Sequence, residues 1–285
     1  GTYGKNIFEQ LASRIHSKYP VYCFVSPILV DQSDGLPDAF DSLESLAAIY
    51  VDAIISTHPK GDIRLAGWSF GGATAIEVRR QLIERGREVE FVGLIDTPAP
   101  RYYQEMLKDP ALHKKVLISR LKWLVKTFEV PDGDTFLDSI RSITIDSIET
   151  ADAVWEMLEK HVHRCDFSPE KRERPLKFIK VCRVNYRITL QYTRKSDDFE
   201  GLHLYQATET DSDGYYEVVE SRALGWPIAD ESRIKKIQGT NHFSIIDSDK
   251  LTSSLQEDFA SGKAEISLIV DEKIKAQNCP KRILL

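Results

Sequence analysis

The chain has no long apolar run, and this lack argues against a membrane-spanning helix. Crossing a bilayer takes roughly 20 consecutive apolar residues, and no uninterrupted apolar stretch among the 285 residues approaches that length. The apolar share of 42% and the charged share of 29% are those of a soluble globular protein. We therefore expect one large domain, or a core domain with an insertion, and no membrane partner.

Excess positive charge is also lacking. The 44 acidic residues outnumber the 38 Lys and Arg residues, which gives a formal net charge of −6. Proteins that bind nucleic acids concentrate positive charge, because they displace the counterions of the phosphate backbone. Nucleic acid is therefore not an expected ligand.

Cysteine is scarce, and its spacing argues against two kinds of site. The four cysteines contain no C-x-x-C pair, so they predict neither a zinc site nor a disulfide framework, and a reducing, cytoplasmic setting fits them best. They are Cys23, Cys165, Cys182 and Cys279. The N-terminus lacks the basic and apolar blocks of a signal peptide, and its abrupt start is what we expect of a chain cut from a longer one.

The chain does contain a G-x-S-x-G motif, Gly67-Trp68-Ser69-Phe70-Gly71. The apolar run 63–66 leads into it and a helix-forming stretch, 72–84, follows it, which is the strand-turn-helix setting of a nucleophile elbow. A serine hydroxyl is a weak nucleophile, so such a turn presents it to a histidine base and to backbone N–H groups that stabilise an oxyanion. The alternative is a glycine-rich loop that only closes a strand onto a helix. We predict that Ser69 is a nucleophile.

Helical and strand-like segments alternate over the first hundred residues. Apolar residues at helical spacing mark 7–15, 43–55 and 72–84, and mostly apolar runs mark 20–25, 63–66 and 89–95. This alternation is typical of parallel β-α-β units. We therefore predict an α/β fold with a mostly parallel central sheet flanked by helices.

The pattern changes at 100–195, where helical segments follow one another without a strand. Helices are predicted over Met106–Phe128, Ser139–Ile148, Ala151–Val162 and Pro175–Tyr192, with a turn at 131–134. Two further strands, 202–208 and 234–237, and a helix within 250–260 complete the pattern. We predict a core of 1–99 and 196–262, a helical lid insertion of 100–195 and a C-terminal tail of 263–285.

The predicted base is His242. It lies in the short loop Gly239–Phe243, directly after the last predicted strand, where the carboxyl edge of a parallel sheet would bring it near Ser69. The other histidines fall on helical surfaces or inside a strand, and they are expected to be solvated or packed. His161 and His163 form an H-x-H pair, which alone does not predict a metal site.

The predicted acid is Asp96, which ends the strand after the elbow helix and so lies at the same sheet edge as Ser69. Glu209 and Asp211 compete with it, because they follow strand 202–208 and this architecture can place the acid there. Both stand in a polar loop that looks solvated. Asp96 would hold one imidazole tautomer of the base and stabilise the imidazolium.

Three segments together resemble the type I thioesterase domains that end nonribosomal peptide and polyketide synthases. They are Leu65–Gly72 with its G-x-S-x-G motif, Phe91–Pro98 with Asp96, and Gly239–Phe243 with His242. The resemblance covers nearly the whole chain up to about Ile246. It implies an α/β-hydrolase fold with a helical lid and a catalytic triad of Ser69, Asp96 and His242.

The resemblance also implies where an oxyanion is bound. The backbone N–H of Phe70, the residue after the nucleophile, supplies one donor. The second donor comes from an upstream loop in this family, and Gly1-Thr2-Tyr3-Gly4 resembles only the end of that loop. We therefore expect the second donor upstream of, or near, Gly1 or Thr2, and the first strand of the fold to be missing from this sequence.

By the same resemblance, the substrate is an acyl or peptidyl chain held as a phosphopantetheine thioester on a carrier protein. The chain would pass to Ser69 and leave by hydrolysis or macrocyclisation, and the domain itself would bind no cofactor. A cluster of basic residues is a candidate docking patch for the carrier protein, although such a face can also be merely solvated. It consists of Lys114, Lys115, Arg120, Lys122 and Lys126.

Three other functions stay open. A freestanding type II editing thioesterase and a general serine carboxylesterase would use the same three residues. The non-enzyme alternative is a module that only docks a carrier protein, and covalent labelling of Ser69 separates it from the enzymes.

Overall fold

The computed structural model describes residues 7–15, 21, 22, 24, 26, 41–193, 201–209 and 222–261. These residues divide into two compact units. The first, which we call the core unit, holds the described residues up to 99 together with 201–209 and 222–261. The second, which we call the helical unit, holds residues 100–193.

The core unit is built on four parallel strands in the order β1-β2-β3-β4. They are β1 Ile63–Trp68, β2 Val89–Ile95, β3 Leu202–Ala207 and β4 Ile234–Ile237. Trp68 pairs with Ile95, and Ile95 pairs with Tyr205, so the carboxyl ends of three strands lie side by side. Since helices flank this sheet, the predicted α/β class is confirmed.

Helices of the core unit pack on the strands and bury them. These helices are α1 Ile7–Arg14, α2 Leu43–Thr57, α3 Phe70–Glu84 and α9 Asp249–Ser261. Helix α3 packs on β1 and β2 and is itself covered by α2. Phe91 and Ile95 share one face of β2 and pack with Leu11 of α1 and Leu251 of α9. Apart from Glu90, every residue of β2 is buried, which explains its nearly continuous apolar sequence.

The helical unit contains five helices within residues 100–193. They are α4 Pro100–Met106, α5 Pro110–Thr127, α6 Gly133–Ser139, α7 Ile148–Arg164 and α8 Pro169–Gln191. Their apolar faces form a core of their own, with Leu121, Trp155 and Leu158 at most 1% exposed. No helix in the part of the chain that the structure describes is both long and apolar enough to cross a membrane.

Three of the helices predicted in this unit have wrong bounds, and N-capping residues mark where the observed helices begin. The helix predicted over Met106–Phe128 begins later, at Pro110, because Asp109 caps it, and Met106 is instead the last residue of the separate helix α4. The helix predicted over Ser139–Ile148 does not exist: one helix ends at Ser139, and the next begins at Ile148 behind a capping box formed by Ser147 and Thr150.

The third wrong boundary concerns the last helix of the unit. The sequence predicts a start at Pro175, but α8 begins at Pro169, behind an N-cap provided by Ser168. Pro175 lies inside the helix.

One predicted strand is not found. Of the segment 20–25, the structure describes Val21, Tyr22 and Phe24, and none of these three lies in a strand. The remaining residues of that segment, and the whole predicted tail 263–285, lie outside the described residues.

Candidate active site

Ser69 stands alone on the turn between β1 and α3. Its backbone has φ 55° and ψ −120°, a conformation that side-chain-bearing residues seldom adopt. The Ser69 N–H donates to the carbonyl of Ile95, 2.9 Å away, which ties the turn to the end of β2. The sequence-predicted elbow is therefore a strained turn held by the neighbouring strand.

Gly67 of the motif and Gly72, which directly follows it, allow the close approaches that this turn needs. A Cβ on Gly67 would lie 2.2 Å from the backbone carbon of Gly71, and a Cβ on Gly72 would lie 2.0 Å from Thr97 Oγ1. Cβ atoms do not approach other atoms so closely in folded proteins. The glycine spacing read from the sequence thus reflects packing of the elbow against itself and against the end of β2.

Asp96 and His242, which are 146 positions apart in the chain, meet in the core unit. His242 Nδ1 lies 2.9 Å from Asp96 Oδ2, and the two residues are 3% and 0% exposed. A carboxylate can only accept, so Nδ1 carries the proton and Nε2 is left as the basic nitrogen. The second oxygen, Asp96 Oδ1, accepts the backbone N–H of Ala207 at 2.9 Å.

Asp96, like Ser69, directly follows a strand and has a positive φ angle. Asp96 directly follows β2, has φ 46°, and donates its N–H to the carbonyl of Tyr205 at 2.7 Å. The next residue, Thr97, directs its hydroxyl at the carbonyl of Ile95, 3.2 Å away. The sequence identified Asp96 but not the backbone of β3, which anchors both its carboxylate and its N–H.

Glu209, a competing acid candidate, is exposed and does not take the place of Asp96 beside His242. Its backbone N–H donates to the carbonyl of Thr240 at 2.9 Å. The other candidate, Asp211, lies outside the described residues.

The loop that carries His242 is shaped by the residues before it. Asn241 accepts the N–H groups of Phe243 and Ser244 on its side-chain oxygen, at 3.0 and 2.9 Å, and so forms a local turn. Thr240 donates its hydroxyl to the carbonyl of Ile237 at 2.6 Å, which closes the loop onto the end of β4. The Gly-Thr-Asn-His run therefore encodes a rigid loop.

Trp68 is a contact of His242 that sequence reasoning missed. Its indole N–H donates to the carbonyl oxygen of His242 at 2.9 Å, and the two ring centroids lie 5.0 Å apart. The one available signal was its place inside the G-x-S-x-G motif. Nothing local in the sequence relates position 68 to position 242.

Phe70, the predicted oxyanion donor, is the first residue of α3. Backbone N–H groups in the first turn of a helix have no partner within the helix and can bind an anion. The positions predicted for the second donor, Gly1 and Thr2, lie outside the described residues.

Of the other described histidines, His163 is exposed and the rest are at least partly buried. His203 stacks near Phe91, with ring centroids 4.7 Å apart, and burial lowers its pKa. His113 is fully buried, and its ring stacks near Tyr186 at 5.9 Å. His161 Nε2 lies 2.8 Å from the carbonyl of Pro131. Within the described ranges, no three His, Cys, Asp or Glu residues form a group that could hold a metal ion.

A family model described as a thioesterase domain matches residues 1–253. The chain belongs to the thioesterase domain family. The resemblance predicted from the three motifs is thereby confirmed.

Relatives of this thioesterase domain occur in large synthases. It is 43% identical over 84 residues to the non-reducing polyketide synthase crz7 of Cladonia metacorallifera, which is 30% of this chain and 4% of that protein. It is 30% identical over 166 residues to the atromentin synthetase nps3 of Serpula lacrymans, which is 58% of this chain and 16% of that protein. The thioesterase domain thus spans a small part of the relatives it matches.

Solved structures share the fold of this thioesterase domain. A four-domain nonribosomal peptide synthetase, holo-AB3403 bound to AMP and glycine, matches with a TM-score of 0.58 at 20% identity over 91% of this chain and 18% of that chain. RedJ, with a polyethylene glycol molecule bound in its active site, matches with a TM-score of 0.51 at 16% identity over 88% of this chain and 85% of that chain. The predicted α/β-hydrolase fold is confirmed.

Proposed function

We propose that this domain releases finished chains from a synthase. In this proposal it takes an acyl or peptidyl chain from the phosphopantetheine thioester of a carrier protein onto Ser69 and frees it by hydrolysis or macrocyclisation. The observation that carries the proposal is the buried Asp96–His242 hydrogen bond, at the sheet edge where the strained elbow presents Ser69.

The first step is acyl transfer to the serine. His242 Nε2 takes the proton of the Ser69 hydroxyl while Oγ attacks the thioester carbonyl, and the imidazolium that forms is stabilised by the Asp96 carboxylate. The N–H of Phe70, at the N-terminus of α3, stabilises the oxyanion. The intermediate then expels the pantetheine thiolate, which takes the proton from His242, and an oxyester on Ser69 remains.

The second step repeats this chemistry with a new nucleophile. His242 removes a proton from water, or from a hydroxyl or amine of the bound chain, and that group attacks the oxyester carbonyl. Collapse returns the proton to Ser69 Oγ. Water gives a free acid, whereas an internal hydroxyl or amine gives a lactone or lactam.

The carrier protein and its phosphopantetheine arm are the proposed partner, and no resident cofactor takes part in these steps. Support comes from the synthases among the relatives. The basic patch predicted for docking needs one correction: Arg120 lies over the rings of Tyr186 and Tyr103, 4.7 and 5.6 Å from their centroids, and not with the exposed cations. The proposed patch is therefore the exposed Lys115, Lys122 and Lys126, with the half-buried Lys114, which donates to the carbonyl of Arg141, at its edge. The proposed setting is the reducing, cytoplasmic one predicted from the cysteines.

Intact mass spectrometry tests this proposal. The protein is incubated with the octanoyl thioester of N-acetylcysteamine, and Ser69→Ala is compared with Ser56→Ala, a matched variant on the exposed side of α2. We expect an octanoyl adduct on the unmodified protein and on Ser56→Ala only.

A thioester of ω-hydroxypentadecanoic acid then separates the two release modes, because a lactone is lighter than the free acid by one water. Turnover of the N-acetylcysteamine thioester without turnover of an acyl carrier protein would favour the carboxylesterase. Absence of both an adduct and turnover would favour the docking module.

A further inference from the structure

Trp68 connects the nucleophile turn to the loop of the base. It is the last residue of β1 and the immediate neighbour of Ser69, so the two Cα atoms lie about 3.8 Å apart. Its indole N–H reaches across to the carbonyl oxygen of His242 at 2.9 Å. One side chain thus spans the distance between the two reacting residues.

The indole N–H of Trp68 donates to the backbone of His242, the proposed base itself. The hydrogen bonds that shape the loop internally involve Thr240, Asn241 and the N–H groups of Phe243 and Ser244. Asp96 holds the imidazole ring through Nδ1. His242 is therefore fixed at two points, its ring by Asp96 and its carbonyl by Trp68.

The indole ring also faces the imidazole. The two ring planes are inclined by 31° with centroids 5.0 Å apart, and Phe243 contacts both rings edge-on at 6.2 and 5.1 Å. A cation within about 6 Å of an aromatic face is attracted to it, and indole is the strongest such partner among side chains. The ring is thus placed to stabilise an imidazolium.

We infer that Trp68 is a positioning residue of the proposed reaction: it sets the place of His242 relative to Ser69 and supports the positive charge that His242 gains when Ser69 reacts. The inference rests on the proposed function in that it needs a working serine and histidine, but it needs neither a thioester nor a carrier protein. An ordinary core tryptophan with a satisfied N–H would instead stabilise the fold alone.

Fluorophosphonate labelling of Ser69 tests the inference, since the reagent requires an activated serine and no carrier substrate. Trp68→Phe keeps a ring and removes the N–H, and we expect about fivefold slower labelling, which corresponds to the loss of one hydrogen bond. Trp68→Leu also removes the ring, and we expect about 20-fold slower labelling. Phe259→Leu is the matched control: it removes a ring that packs on Phe91 in the same unit, and its labelling rate should stay within twofold.

The decisive measurement repeats Trp68→Phe in a His242→Ala background, where slow residual labelling persists. A residue that acts through His242 has nothing left to position there, so we expect the residual rate to stay within twofold. An equal fivefold loss in both backgrounds, or no loss in the unmodified background, would overturn the inference.

The same labelling experiment separates this inference from the proposed function. Rapid labelling of Ser69 together with no turnover of any thioester refutes the proposed function and leaves the Trp68 comparison valid. No labelling of the unmodified protein refutes both.

Discussion

Replacing Asp96 by asparagine should preserve the site and invert one hydrogen bond. Asp96 Oδ1 accepts the N–H of Ala207 and Oδ2 accepts the Nδ1–H of His242. The N–H of Ala207 is a fixed donor, so the amide oxygen of asparagine must take it, and the amide NH₂ then points at Nδ1. Because two donors cannot share a hydrogen bond, the imidazole proton moves to Nε2, and the nitrogen meant for Ser69 is no longer basic.

The size of the effect distinguishes this change of tautomer from mere loss of contact. Losing a charged hydrogen bond costs about 1.5–3 kcal/mol, which corresponds to a rate loss of about 10- to 150-fold. Locking the wrong tautomer costs about 10⁴-fold, or about 5 kcal/mol of transition-state stabilisation. We therefore expect Asp96→Asn to reduce the acylation rate constant by about 10⁴.

The assay is the rate of octanoyl adduct formation on Ser69, followed by intact mass, with the melting temperature as a check on folding. Glu209→Gln is the control, because Glu209 is the exposed competitor for the same role. Its rate should match that of the unmodified protein. A loss of less than tenfold in Asp96→Asn, or a comparable loss in Glu209→Gln, would refute the assignment of Asp96.

Two further predictions concern the elbow and the helical unit. Gly72→Ala drives a methyl group into Thr97, so it should lower the free energy of unfolding by about 1–3 kcal/mol in urea unfolding and slow the labelling of Ser69 followed by intact mass. Gly86→Ala is the control: Gly86 has φ 74° but open space around it, so this substitution should lower stability and leave labelling unchanged. Burial, and next the charge of Arg120, lower the pKa of His113. The unfolded chain therefore binds the proton more readily, so stability should be full above about pH 6.5 and fall as the pH drops below it. His113→Phe should flatten that fall in urea unfolding at pH 7.5 and 5.0, and an unchanged slope would contradict this.

The parts of the molecule that depend on local pattern could be predicted from the sequence. The sequence predicts strand β2 with the bounds that the structure has, because a parallel strand buried almost throughout is a nearly continuous apolar run. The pairing of Asp96 with His242 followed from topology, since carboxyl ends of parallel strands share one edge. Asp109 and Ser147 show that the helix breaks in the helical unit also had local signals, which the apolar periodicity outweighed.

The parts that depend on distant contacts could not be predicted. Arg120 looks like a surface cation in a basic helix, but its guanidinium lies over the ring of Tyr186, 66 positions later in the chain. Trp68 and His242 are 174 positions apart, and only the folded sheet brings the indole to that carbonyl. A sequence pattern can thus predict a helix or strand correctly without indicating which distant residues its side chains contact.

The positive φ angles of Ser69 and Asp96 lower the stability of this domain at two positions whose side chains the proposed reaction needs. Each residue directly follows a strand and holds a conformation that glycine adopts freely and other residues adopt at a cost of about 1–3 kcal/mol. Glycine at either position would relieve that cost and remove a side chain that the proposed reaction needs. Selection for stability alone would thus favour loss of these two side chains. In a domain that is no longer selected for its reaction, substitutions would be expected to accumulate at positions 69 and 96.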